Sequence, residues 1–219
     1  MPSSTVENYL KAIHRLGEDS DGEVTVGGIA KELSVTPGTV TTMMRHLSDQ
    51  EFVDYAPRRG VKLSQSGQEA ALGVVRRHRL IELFLVKVMK LDWSEVHEEA
   101  EILEHVISDR LLDRIDQMLG FPTHDPHGDP IPDKEGNLVE QRSLPLSEAE
   151  EGEYRIVRVS DEDPELLDWL NQQGLVPGAR FSLSDKGRAA GVVELTVAGE
   201  SDSVKLGGKA LDRIFVERG

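Results

Sequence analysis

Apolar and polar positions alternate with different periods along the chain, and the changes of period mark its parts. Val6, Tyr9, Leu10, Ile13 and Leu16 recur at helical spacing and predict a helix over 4–17, with Ser4 or Thr5 as its N-cap. Asp19-Ser20-Asp21-Gly22 ends it. A short periodic helix from Val26 to Leu33 follows, then a tight turn at 34–38, then a second helix from Pro37 to about Gln50. Thr36 is the N-cap of that helix and Pro37 its first helical residue. Two alternating runs, Phe52–Tyr55 and Val61–Leu63, flank a Pro-Arg-Arg-Gly turn and predict a hairpin. A long helix is expected over 64–90, carrying Val74, Val75, Leu80, Ile81, Phe84, Leu85 and Val88. Another is expected over 94–119, with Val96, Ala100, Leu103, Ile107, Leu111 and Ile115 as its stripe. FPTHDPHGDPIP (121–132) stops helix formation with four prolines, and 133–151 is polar and acidic, as a linker would be. From 152 onward, short strand-like runs lie between Gly, Asp and Ser turns, with one short helix at Leu166–Leu170; a small barrel closes such strands naturally. The pattern predicts a mainly α chain with a small amount of β. Its parts are a winged helix-turn-helix (1–70), a helical domain (71–132), a linker (133–151) and a β domain (152–219).

Composition narrows the chemistry. With no cysteine among 219 residues, disulfides, thiolate zinc sites and cysteine nucleophiles are excluded. MPSSTVENYL has neither a basic flank nor a long apolar run, and no apolar stretch reaches the length of a membrane span. A cytoplasmic protein without a membrane partner is expected. The formal charge of −15 argues against unspecific attraction to polyanions. The acid excess is smallest over 1–70, however, where Arg58, Arg59 and Lys62 cluster at the hairpin turn.

Two constellations carry the chemistry. In the first, Val26 to Leu63, a tight turn joins two short helices and can set the second in a DNA major groove. Its leading face, Thr36, Pro37, Gly38, Thr39, Thr41 and Thr42, offers hydroxyls and methyls suited to phosphates and thymine methyls rather than to bidentate guanine contacts. Arg58, Arg59 and Lys62 would clamp backbone phosphates. In the second, His97, Glu101, Glu104 and His105 follow the i, i+4, i+7, i+8 spacing of one helical face. His78 and Glu82, four apart, form a similar face on the preceding helix. Sulfur-free sets of imidazole and carboxylate suit hard-to-borderline divalent ions.

The segments VENYLKAI, IAKELSVTPGTVTTMMRHL, RRHRLIELFL, VHEEAEILEHVISD and HGDPIP resemble the diphtheria-toxin-repressor family of iron- and manganese-dependent regulators, over residues 5–132. The strands after 152 resemble that family's SH3-like, FeoA-type domain. The resemblance implies a homodimer that binds palindromic double-stranded operators when activated by metal, most often repressing metal uptake, with no small organic substrate. It implies a primary site of Glu101, Glu104 and His105, with Asn8 at the position from which the first helix supplies a ligand, usually Asp or Met. An ancillary site of His78, Glu82 and His97 is also implied, with Asp163 or Glu165 from the last domain, or Asp125 from the proline-rich turn, as a further donor. Lys11 stands where two-domain manganese regulators carry a second carboxylate, which argues against a binuclear centre. Glu101 replaces the cysteine common in iron-type members, so Mn(II) is favoured over Fe(II).

Two other readings compete. The acids of a winged-helix regulator can be a solvated face that binds no metal. A metallohydrolase would need H-x-x-E-H, but the chain has E-x-x-E-H at 101–105 and no separate base, so no enzymatic activity is expected.

Overall fold

The computed structural model describes residues 2–18, 23–57, 59–161, 163–184, 187 and 190–219. The chain forms two compact units. One comprises residues 1–78, 103–108 and 132–137; the other comprises 79–102, 109–131 and 138–219.

The first unit contains α1 (Ser4–Glu18), α2 (Val26–Glu32), α3 (Pro37–Asp49) and the antiparallel hairpin β1 (Val53–Ala56) and β2 (Gly60–Leu63). Thr25 caps α2 by accepting from Gly28 N, and Thr36 caps α3 by accepting from Thr39 N. Leu10, Ile13, Ile29, Val40, Met44, Leu47 and Val61 are buried together, which fixes α3 beneath its exposed Thr-rich face. Val24 bridges Val61 and ties the wing to the strand-like residues before α2. This is the winged helix that the periodicity predicts.

α4 (Gln65–Phe84) begins in the first unit and ends in the second. The helix expected to reach residue 90 changes at Leu85 into a π-helical turn (Leu85–Met89) that closes at Lys90 in the left-handed region. The helix expected over 94–119 is two: α5 (Val96–Leu103) and α6 (Asp109–Leu119). The sequence has a restart signal that periodicity overrides, because Ser108-Asp109 places a capping type and an acid at the first turn of α6. Glu104 and His105 therefore lie in a turn and not on the helical face that their spacing suggests.

The remaining elements, all in the second unit, are β3 (Leu144–Pro145), β4 (Gly152–Val159), α7 (Pro164–Gln172), β5 (Arg180–Ser184), β6 (Val192–Val197), β7 (Ser203–Gly207), α8 (Ala210–Arg213) and β8 (Ile214–Arg218). The strands form one sheet in the order β3-β8-β4-β5-β6-β7. Ile156, Val159, Phe181, Leu183, Val193, Leu195, Ile214 and Val216 gather in its core with Leu167 and Leu170 of α7. Among the described residues no ladder joins β3 to β7, so the expected barrel is an open sheet wrapped on one core and is not closed by hydrogen bonds. Part of the expected linker belongs to this unit: Leu144 and Pro145 pair with β8, and Leu146 and Ala149 are buried. Their apolar side chains gain more from the core than from water.

Candidate metal centre

In the first unit the donors come from distant parts of the sequence. α1 supplies Glu7, Asn8 and Lys11, α4 supplies Arg77 and His78, and the turn after α5 supplies Glu104 and His105. The Glu104 carboxylate is fully buried, and its Oε2 lies 2.6 Å from His78 Nδ1 and 2.8 Å from the Lys11 ammonium. Glu7 is also buried; its Oε1 accepts from Arg77 Nη2 at 2.6 Å, and its Oε2 is 2.6 Å from His105 Nδ1. Arg77 Nε donates to the Glu104 carbonyl at 2.7 Å.

Asn8 Oδ1, Glu104 Oε1 and His105 Nε2 are among the buried atoms that meet no hydrogen-bond partner among the described residues; in this unit the Tyr9 hydroxyl is another. Leaving such acceptors bare costs on the order of 1–3 kcal/mol each. Glu104 Oε1 and His105 Nε2 stand 3.5 Å apart. Two donors each about 2.1 Å from one ion, at angles between octahedral and tetrahedral, lie roughly 3.0–3.5 Å apart. The residues present therefore fit a divalent cation. Glu101 is counted with the second unit, and its Oε1 is 3.8 Å from His97 Nε2.

The second unit carries its own cluster. Donor atoms of Glu82, His97 and Asp161 lie within 4.8 Å of one another, and so do those of Glu82, Asp125 and His127. His97 Nδ1 is 3.4 Å from Glu82 Oε1 and 3.1 Å from Asp161 Oδ2; His127 Nδ1 is 3.8 Å from Glu82 Oε2. His127 Nε2 lies 2.8 Å from the Trp93 carbonyl, which can only accept, so Nε2 holds a proton and Nδ1 faces the cluster. Trp93 stacks on the ring with centroids 5.5 Å apart. Asp125 Oδ1 accepts from the backbone N–H of His127 and of Asp129, and so shapes the loop that presents His127. Sequence reasoning missed His127, although HGDPIP was in view, and it missed Asp161. Asp163, the expected donor, is occupied as the N-cap of α7 and as a partner of Arg213, and Glu165 is exposed.

Charge tunes this cluster. Hydrogen bonds to Asp161 and Glu82, opposed by burial, raise His97 to about 10. Burial pulls His127 down, but Glu82, Asp125 and Asp161 outweigh it and raise the ring to about 9. Burial resists ionisation of Asp161, yet its bond to His97 holds it at about 2. Burial, together with the charges of Asp129 and Glu82, raises Asp125 well above the usual carboxylate range. Both histidines are therefore protonated at neutral pH without metal, and an ion must displace protons to bind. The stability that these raised values give the metal-free protein is present in full below about pH 6.5. It should fall as pH rises through about 9 and 10, while metal affinity climbs over the same interval. Melting in chelator and Mn(II) titrations across this range check both trends. Affinity that is flat from neutral pH to about 10 would mean that neither ring gives up a proton to metal.

The other surface expected to act is the winged helix. Thr36, Pro37, Gly38, Thr39 and Thr42 are exposed and Thr41 half-buried. The Thr36 hydroxyl is engaged as the α3 cap, and the hydroxyls of Thr41 and Thr42 donate to the Pro37 and Gly38 carbonyls. Their methyl groups and remaining lone pairs are what they can offer a groove. Arg59 and Lys62 are exposed on the wing, and Arg58 lies outside the described residues.

A winged helix whose first helix meets a buried cluster in which one carboxylate oxygen, one amide oxygen and one imidazole nitrogen lack hydrogen-bond partners defines a metal-responsive DNA-binding protein. The profile described as the iron-dependent repressor N-terminal DNA-binding domain matches residues 1–61; that of the family's metal-binding and dimerisation domain matches 64–133, and that of the FeoA domain matches 144–218. The chain is 31% identical over 192 residues to the iron-dependent repressor IdeR of Mycobacterium tuberculosis, covering 82% of this chain and 83% of the relative. It is 30% identical over 197 residues to the diphtheria toxin repressor of Corynebacterium efficiens, covering 84% and 85%. A solved manganese-dependent transcriptional repressor in complex with manganese superposes with a TM-score of 0.89 at 38% identity, over 96% of this chain and 98% of that one. ScaR with bound Zn2+ superposes at 0.80 and 36% identity, over 99% and 100%. The chain belongs to the iron-dependent repressor family, and it is a metal-dependent DNA-binding transcriptional repressor.

Proposed function

We propose that the chain is a homodimeric repressor of metal uptake, activated by Mn(II) in preference to Fe(II), that acts in the cytoplasm on a palindromic operator. The observation that carries this reading is the set of three unpaired buried acceptors, Asn8 Oδ1, Glu104 Oε1 and His105 Nε2, contributed by α1 and by the turn at 104–105. When bound, a divalent ion supplies charge and directional bonds to those atoms. The protein's part is to hold α1, and with it the winged helix, against the turn. In a dimer reading half-sites about one helical turn apart, small rotations of α1 change how both recognition helices meet the grooves. A coupling of roughly 1–3 kcal/mol gives a 5- to 150-fold change in operator affinity. Oxygen and nitrogen donors without sulfur support Mn(II) and Fe(II) over softer ions. Leu111, Met118 and Phe121 on and after α6 stay exposed, and in this reading the partner copy covers them. We assign DNA binding to residues 1–70 and metal binding with dimerisation to 71–132. The domain at 152–219, joined through 133–151, contributes Asp161, nine residues into the β domain, to the second cluster.

The test is operator binding against a series of divalent metals, using a fragment from the chain's own promoter. Binding should require Mn(II) or Fe(II) and should weaken steeply with salt. Equal binding in chelator would refute metal control.

A further inference from the structure

We infer that Glu7 is a positioning residue for the metal centre: it holds the Nδ1 proton of His105 so that Nε2 presents a lone pair. This rests on the reading of His105 as a ligand. Glu7 is on α1, 98 positions from His105, yet its Oε2 lies 2.6 Å from His105 Nδ1. A carboxylate oxygen accepts, so Nδ1 donates, and a neutral ring then carries its lone pair on Nε2. That nitrogen is buried, lacks a hydrogen-bond partner and stands 3.5 Å from Glu104 Oε1, which is also unpartnered. Glu7 cannot turn away easily, because Arg77 holds its other oxygen at 2.6 Å. Arg77 in turn grips the Glu104 carbonyl, so one guanidinium fixes both the carboxylate that orients His105 and the backbone that carries it. Carboxylate–imidazole–metal relays of this kind set the tautomer and raise the basicity of the ligand.

Glu7 also changes what α1 does in the sensor. The first helix reaches the centre through Asn8 Oδ1, an uncharged donor, but it holds the imidazole ligand through a charged hydrogen bond. A shift of His105 on metal binding is therefore carried to α1 through Glu7. Nothing in the sequence distinguishes Glu7 from an ordinary first-turn acid; its burial at 5% exposure does.

The experiment uses the full chain with 15N-labelled histidine, free of metal, at about pH 8, above the ordinary histidine range. Long-range 1H–15N correlation should show His105 protonated at Nδ1. Glu7→Ala should shift it toward the Nε2–H tautomer and weaken Mn(II) binding by about 10- to 100-fold, with Glu7→Gln, which keeps an acceptor, in between. His105 protonated at Nε2 in the unaltered chain would overturn the proposal, and so would Glu7→Ala binding Mn(II) within about twofold of the parent. If Glu7→Ala does not fold, the tautomer in the unaltered chain and the Glu7→Gln affinity decide the question alone. An unaltered chain that shows Nδ1–H yet takes up no Mn(II) would instead refute the reading of His105 as a ligand, a result distinguishable because the tautomer is read without metal.

Discussion

Glu104→Gln should abolish metal-activated DNA binding, lowering Mn(II)-dependent operator affinity by more than about 100-fold, beyond the range usual for residues that only support a ligand. The substitution keeps the shape of a fully buried side chain while removing its charge. Two groups then lose what they had. The open Oε1, 3.5 Å from His105 Nε2, no longer offers a charged oxygen to an ion. Lys11, 2.8 Å from Oε2, loses its counter-charge, and an amide NH2 placed there would face the ammonium donor to donor. Because removing one member of a buried pair is costly, a loss of melting temperature is expected as well, so circular dichroism must accompany the DNA measurement. A folded Glu104→Gln that responds to Mn(II) like the parent would show that the centre lies elsewhere.

Gly128→Ala should be the most destabilising single change in the proline-rich turn, of the order of 4 kcal/mol, at the large end for one substitution. Gly128 has φ +92°, and a Cβ there would stand 2.0 Å from the Val157 carbonyl oxygen and 2.9 Å from Arg158 Cα. Neither backbone atom can move without disturbing β4, and the next residue's hydrogen bonds depend on the same contact, since Val159 N donates to the His127 carbonyl at 2.9 Å. His127 would be drawn from Glu82. Trp93, stacked on the His127 ring, gives the readout: its fluorescence should change on Mn(II) addition in the parent and not in Gly128→Ala. Thermal melting measures the stability loss. An unchanged melting temperature would mean that the loop at 124–130 does not hold this packing.

The periodic parts of the fold were legible because their signals are local. Thr36-Pro37 announces the start of α3, and one face of that helix is apolar enough to be buried against α1 and α2. The break between α5 and α6 was not legible from period alone, since Val96 to Ile115 keeps one stripe through the break, and the turn at 104–108 shows only in the Ser108-Asp109 restart. Glu104 and His105 could be named as candidate ligands because they share one helical spacing with His97 and Glu101 and lie in the VHEEAEILEHVISD segment that carries the family resemblance. Glu7, His127 and Asp161 were hidden because their roles come from burial and from neighbours far away in sequence: His127 meets Glu82, and Asp161 meets His97, only after the chain has folded back. The C-terminal strands were recognisable as strands, but whether a ladder closes them is a property of pairing between β3 and β7, which no single run records.

The pairing of Lys11 with Glu104 and of Arg77 with Glu7 also bears on how the sensor ignores the ions that surround it in excess. Each of the buried carboxylates Glu7 and Glu104 already faces a cation, which offsets part of the pull that its charge would exert on any positive ion. Sodium and potassium bind oxygen sites mainly through such a pull and gain less here. A transition-metal ion gains from bonds to the lone pairs of His105 Nε2 and Glu104 Oε1, and those bonds depend on the identity of the ion and not on its charge alone. Offsetting part of the carboxylate charge beforehand tilts the pocket toward selection by bond chemistry, and an alkali background many orders of magnitude more concentrated than the signal has less purchase on it.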